Sequence, residues 1–290
     1  MKKNKTFGLI LLLLIYIAAT AIGIFVFILL EKVINTLLSV LIADVVATVF
    51  VWFTGVLLKT ASVYDPYWSV QPVIIGLLLL IKFQTFNLGT ILYLVAMFLW
   101  AIRLTVNFCI EFHSLEYVDW RYKNFQEKFP KMYQLINLGG ICMMPTLLVY
   151  TTSLPFFIYI INGLEFSFYN IIGIVIMLIG TGLELFADIQ MKKFRKNRKD
   201  RSEIIRTGLW KYSRHPNYLG EVSFWYGVAF VLFIGNFNYW WTLLGAILNT
   251  MLFLFISIPL AENNMKKYKP GFDEYKKETR MLFPIKKFKK

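Results

Sequence analysis

The sequence predicts an all-α, polytopic integral membrane helical bundle of seven to eight transmembrane helices, and three observations carry that prediction. Hydrophobic residues make up 58% of the 290 positions and charged residues only 17%, with a mean hydropathy of +0.59. Soluble domains run at about 45–50% and about 25%. Apolar runs recur at lengths that can cross a bilayer, for which about 20 helical residues are needed, and an open chain in lipid satisfies its backbone only as helix. The excess of lysine and arginine, 31 against 17 acids and a net charge of +14, gathers in alternate connections, as the positive-inside rule requires.

The elements follow in order. Met1–Lys5 is a basic start, and the apolar run continues from Phe7 to Leu30. A secretory signal has an apolar region of about 7–15 residues. Ala19-Thr20-Ala21 resembles a cleavage site, but the run extends well beyond it, so a retained first helix is expected. The second span is Ile34–Leu58, with Asp44 inside it. The third is short: Pro72–Ile81 is its apolar part, and it reaches spanning length only by including the polar and aromatic stretch Ser62–Ser69. Leu88–Ile110 is the fourth span and carries Arg103. Glu111–Lys131, which contains Asp119-Trp120-Arg121-Tyr122, reads as an interfacial helix.

The fifth span, Leu135–Ile161, contains Pro145 and Pro155, where kinks are expected. Phe168–Gln190 is the sixth. Lys192–Arg214 is a basic loop, and Tyr218–Gly235 and Tyr239–Leu260 are the seventh and eighth spans. The tail Glu262–Lys290 is basic, and its aromatics Tyr268, Phe272, Tyr275 and Phe283 suggest that it folds back to close a pocket against the loop. This order leaves both termini cytoplasmic and the basic segments on one side of a cell membrane, bacterial by this reading. Anionic lipid headgroups explain the charge better than nucleic acid does. Cys109 and Cys142 fall in apolar segments, which excludes a disulfide framework and a cysteine metal site. No internal repeat or linker divides the chain, and its composition leaves the oligomeric state open.

The chemistry centres on Arg214-His215-Pro216-Asn217-Tyr218-Leu219-Gly220-Glu221. Pro216 falls where a helix can begin, because the first helical N–H has no partner to lose. Asn217 and Glu221 then share one face, which Phe224 and Trp225 extend inward. Arg206, Lys211 and Arg214 precede a helix N-terminus, which itself favours anions. The pattern suits a phosphate-bearing cofactor. Intramembrane acids usually face a cavity or a partner. Glu184 and Asp188, four apart, continue towards Arg195 as a polar wall, or else as a packing ion pair with Arg195 or Lys192. Arg103 is the intramembrane cation available to Glu221. His215, among cations, suits hydrogen bonding or phosphate contact better than proton transfer. Read from residues alone, Tyr64-Asp65 and Asp119–Tyr122 are aromatic-belt residues with interfacial charge pairs. There is no Walker A sequence, dinucleotide fingerprint, paired-histidine zinc face or Gly-x-Ser-x-Gly elbow.

Residues Gly208–Glu221 resemble the C-terminal signature of the steroid 5-alpha-reductase superfamily. The chain as a whole resembles the bacterial membrane branch beside those reductases, through Asp65–Trp68, Trp100–Leu104, Asp119–Tyr122, Pro259–Glu262 and Lys269–Tyr275. The resemblance implies transmembrane helices over 1–58, a reductase-like membrane domain over 59–290, and a cofactor-binding half over about 180–290. It implies NADPH as cofactor and reduction of a C=C bond conjugated to a carbonyl in a hydrophobic, lipid-like substrate. Asn217 and Glu221 then match a cofactor-contacting amide and carboxylate. Asp188, Arg195 and Arg206 match upstream nucleotide contacts, and Arg103 a fourth-helix arginine. Glu184, Tyr212, Arg214, His215, Tyr218, Trp225 and Tyr275 complete the candidate cofactor surface. The Gln-Glu-x-Pro motif that supplies the catalytic acid in the steroid enzymes has no copy here. Asp65 with Tyr64, or Tyr122 with Asp119, are the candidate substitutes. Two rival readings stand beside this one. Membrane methyltransferases that use S-adenosylmethionine resemble the same Arg-His-Pro region, with Glu262, Tyr275 and Pro284 loosely matching their tail. A non-enzymatic membrane scaffold would gain little from Glu184, Asp188, Glu221 and Arg103.

Overall fold

Helix starts are written into the sequence as side-chain caps. Asn4 accepts from Phe7 N at 3.2 Å and opens α1 (Lys5–Leu30). Asn35 accepts from Leu38 N at 2.9 Å and opens α2 (Thr36–Leu58). Each supplies an acceptor to a first-turn N–H that lacks an intrahelical partner. The computed structural model describes residues 4–284, so Met1–Lys3 of the basic start and Ile285–Lys290 of the tail lie outside the described residues. The remaining helices are α3 (Tyr67–Phe83), α4 (Leu88–Glu111), α5 (Trp120–Lys128), α6 (Tyr133–Ile136), α7 (Met144–Ile161), α8 (Phe168–Asn197), α9 (Pro216–Phe233), α10 (Leu243–Leu252), α11 (Ile258–Lys266) and α12 (Phe272–Glu278). Among the described residues no strand forms, and one isolated parallel bridge joins Ser213 to Arg280.

Among the described residues, seven helical stretches are long and apolar enough to cross a membrane: Lys5–Leu30, Thr36–Leu58, Ala61–Phe83, Leu88–Glu111, Tyr133–Ile161, Phe168–Asn197 and Phe237–Lys266. This is an integral membrane protein by that measure. The short third span reaches its length as the sequence requires, by taking in the 3-10 turn Ala61–Val63 and the aromatic start of α3. In the fifth, a π-helical stretch Asn137–Met143 precedes α7. Pro145 has no N–H to offer the carbonyl four residues back, and the ladder widens just before it. The seventh expected span, Tyr218–Gly235, is α9 and is the one left out, whereas the eighth falls within Phe237–Lys266. The first two turns of α9 carry Asn217 and Glu221, and this polarity keeps it out of the seven while most of its surface is buried.

The described chain divides into two compact units. One runs to Phe86 and resumes over Met97–Leu164. The other holds Asn87–Ala96 and everything from Glu165 onward. In the first, Leu12, Ile15 and Ala19 of α1 pack with Ala47 and Val51 of α2, with Tyr64 and Tyr67, and with Phe112, Leu115 and Tyr122. α5 sits on this core through buried Tyr122. In the second, α8 and α9 form the principal packing pair.

Candidate functional site

Glycines set the approach of α8 to α9. A Cβ on Gly180 would stand 2.7 Å from Gly220 O, and one on Gly173 would stand 2.3 Å from Val231 N. Only hydrogen atoms fit between these backbones, which is how small residues join helices in a membrane. The seam brings the Glu184 side chain against Gly220 and buries it. One residue further along α9, Glu221 is also buried, and its Oε1 accepts from Trp225 Nε1 at 2.8 Å. Asn217 lies one turn earlier on the same helix and is half-buried, as is Asp188 on α8. Arg195 is exposed near the end of α8. The Tyr218 ring stacks on His215 at 5.3 Å and 7° and meets Phe253 at 4.7 Å.

The loop before α9 is anchored rather than open. Gly208 has φ +59, a left-handed conformation that favours glycine, and the Gln190 side chain fills the space where its Cβ would stand. Gln190 Oε1 accepts from Leu209 N at 2.9 Å, and Trp210 Nε1 donates to Ala187 O at 3.1 Å. The tail then covers the loop, as its aromatics suggested. Tyr275 O–H donates to Trp210 O, and Phe272 and Tyr275 are buried, whereas Tyr268 and Phe283 stay exposed. Burial pushes the Tyr275 phenol up to about 12, so it is a donor at any ordinary pH. Lys269 donates to Glu203 O at 2.8 Å, and burial, with Arg198 and Arg195 nearby, lowers its pKa.

The cations of the expected mouth meet tail carboxylates. Arg214 is 5% exposed; its Nε donates to Glu262 Oε1 at 2.8 Å, and its backbone N–H donates to Arg280 O at 2.8 Å. His215 Nε2 lies 3.2 Å from the same Glu262 oxygen, and Lys276 Nζ lies 3.1 Å from Oε2. Arg206 bridges Glu278 and, at 3.3 Å, Glu274, and its guanidinium lies over the Tyr275 ring. The basic loop before α9, expected as a cationic mouth for a phosphate-bearing cofactor, is thus partly neutralised by carboxylates of the tail. Arg214 and His215 are structural at their inner ends, while Arg206 and Lys211 remain exposed, as does Tyr212. Glu262, the centre of this cluster, was not among the expected site residues. Its signal was an acid at the end of an apolar span, which a partner must neutralise.

The first unit pairs the candidate catalytic groups differently from the sequence expectation. Tyr122 O–H donates to Asp65 Oδ1, while Tyr64 shares a hydrogen bond with Thr146 at 2.7 Å, and Thr146 another with Thr48 at 3.0 Å. The expected couples Asp65–Tyr64 and Tyr122–Asp119 are not the hydrogen-bonded ones. Asp119 caps α5, accepting from Arg121 N at 2.9 Å and pairing with Arg121 Nε at 2.8 Å. Burial, then the Asp65 charge, raises the Tyr122 phenol well above its ordinary pKa. Arg103 is half-buried on the part of α4 that belongs to this unit, and the other candidate cofactor residues all belong to the second.

Comparison with known proteins gives three results. An uncharacterised protein of Schizosaccharomyces pombe, C594.04c, is 26% identical over 226 residues, which cover 69% of this chain and 64% of the yeast protein, less than two thirds of its length. No solved structure matches the chain. The model of a family described as proteins of unknown function, DUF1295, matches residues 51–279, well over half of the chain, and the chain belongs to that family.

Proposed function

We propose that this chain is a membrane oxidoreductase that uses NADPH to reduce a C=C bond conjugated to a carbonyl in a hydrophobic, lipid-like substrate. The reading rests on the resemblance of Gly208–Glu221 to the steroid 5-alpha-reductase superfamily. One observation carries it furthest. Glu221 is held by Trp225 one turn below half-buried Asn217, on a helix locked to the one bearing Glu184 and Asp188. An amide and an oriented carboxylate on a rigid helix suit the hydrogen-bonding groups of a nucleotide.

The residues present fit the phosphates as well. Arg206 is held by partly exposed ion pairs (side chain 40% exposed), which are worth about 0–1 kcal/mol and yield to a stronger anion. Lys211 and Arg195 are exposed nearby in sequence. Bound there, NADPH supplies a hydride. Arg206 would hold phosphate, while Asn217 and Glu221 would orient the cofactor. Arg214, locked to Glu262, fixes the loop that presents them. In the first unit, the Tyr122 phenol stays protonated and donates to Asp65.

A second reading, an S-adenosylmethionine-dependent methyltransferase, draws on the neutralisation of Arg214 and His215 by Glu262. That cofactor has no phosphates and needs fewer free cations. Substitution separates the two. Asn217→Ala and Glu221→Gln should each weaken NADPH binding at least tenfold with an unchanged melting temperature. Unchanged NADPH affinity in both variants would remove the assigned site.

A further inference from the structure

Asp44 belongs to none of the sites above, yet it is 7% exposed within a membrane-spanning helix and its Oδ1 has no hydrogen-bond partner. A carboxylate there is costly and needs a group to meet. It lines a cavity of about 280 Å³ in the first unit, walled by residues of α1, α2 and α3. That is near the lower end of the range of about 300–1,000 Å³ usual for small-molecule pockets. The wall is mostly apolar, with Ile24, Phe27, Val40 and Ile75 among its residues, and buried Gln71 adds an amide. Glu31 and Lys82 also line it and form an ion pair where α1 and α3 end. Asp65 and Tyr122 belong to neither this wall nor this end of α3.

We propose that this cavity binds a single-chain lipid alcohol. The hydroxyl donates to the Asp44 carboxylate and accepts from the Gln71 amide, so both faces of the head group are satisfied, and the chain lies along the apolar wall. The alternatives fit less well. A hydrocarbon leaves Asp44 unsatisfied, and a fatty acid sets a second carboxyl group against it. A fatty amine brings a full charge into the bilayer, whose desolvation one carboxylate does not reliably offset. The inference is independent of the nucleotide reading, because none of the wall residues belongs to the second unit.

The test uses the full-length protein in detergent with a diazirine-bearing long-chain alcohol as the probe, followed by peptide mapping. Labelling should fall in α1, α2 and α3. Unlabelled alcohol of the same length should displace the probe, and the corresponding alkane and amine should not. Asp44→Leu and the cavity-filling Ile75→Trp should each reduce labelling at least tenfold, while Asp44→Asn, whose amide oxygen still accepts, should keep part of it. Melting curves of Asp44→Leu and Ile75→Trp beside the parent separate lost labelling from unfolding, since Asp44→Leu also takes the carboxylate away from Tyr67. Labelling undiminished in Asp44→Leu, displacement by alkane as effective as by alcohol, or stronger displacement by the amine would each overturn the proposal.

Discussion

In the first unit the buried polar groups are mostly hydroxyls: Tyr64 meets Thr146, Thr146 meets Thr48, and Tyr122 meets Asp65. In the second they are ionic, with Arg214, His215 and Lys276 around Glu262. The difference follows from where each set sits in its helices. The Tyr64–Thr146–Thr48 bonds lie within apolar spans, where neutral bonds avoid the desolvation of charge, whereas Tyr122 meets Asp65 from α5. The ionic cluster forms where the loop, the end of α11 and the tail come together, and every charge there has a hydrogen-bonded partner. A neutral network suits a site that must hold or deliver a proton. An ionic one suits a rigid platform for a charged cofactor.

The comparison can be broken most severely at Glu262. Glu262→Ala leaves Arg214 buried without its carboxylate, and removing one partner of a buried pair costs about 3–5 kcal/mol. A large fall in melting temperature is expected, smaller in Glu262→Gln, and an unchanged value would mean that the cluster holds nothing together. Next in size is the α8–α9 seam. Gly180→Val forces the backbones apart and should cost about 1–3 kcal/mol. Gly182→Ala, where a Cβ meets nothing within 4 Å, should be neutral or gain about 0.5–1 kcal/mol. Equal effects at the two glycines would remove the close-packing argument.

A smaller stability effect, about 1 kcal/mol, is expected for Tyr122→Phe. It should leave NADPH affinity intact, whereas a loss of affinity would place Tyr122 in cofactor binding. Arg206→Ala should be smallest in stability, about 0–1 kcal/mol for an exposed pair, yet it should narrow the preference for NADPH over NADH. An equal loss for both cofactors would detach Arg206 from the phosphate.

Local chemistry made much of this legible. The apolar runs gave the spans, Pro216 gave the start of α9, and the tail aromatics Phe272 and Tyr275 announced a cover for the loop. Pairing across distance was not legible. Asp65 and Tyr122 are 57 residues apart, and Arg214 and Glu262 are 48 apart. Nearer partners, Tyr64 and Asp119, were equally plausible by residue type, but Asp119 was needed as the cap of α5 and Tyr64 pointed to Thr146. The mouth looked cationic because its neutralising acids, Glu262, Glu274 and Glu278, come much later in the chain. Asp44 stood out as an acid in a span, but the cavity beside it depends on how three helices pack.

The most direct test of the central claim is calorimetric titration of the detergent-purified protein with NADPH, NADH and S-adenosylmethionine. Saturable NADPH binding is expected, tighter than NADH binding and with no heat from S-adenosylmethionine. Binding of S-adenosylmethionine alone would contradict it and assign the second unit to methyl transfer.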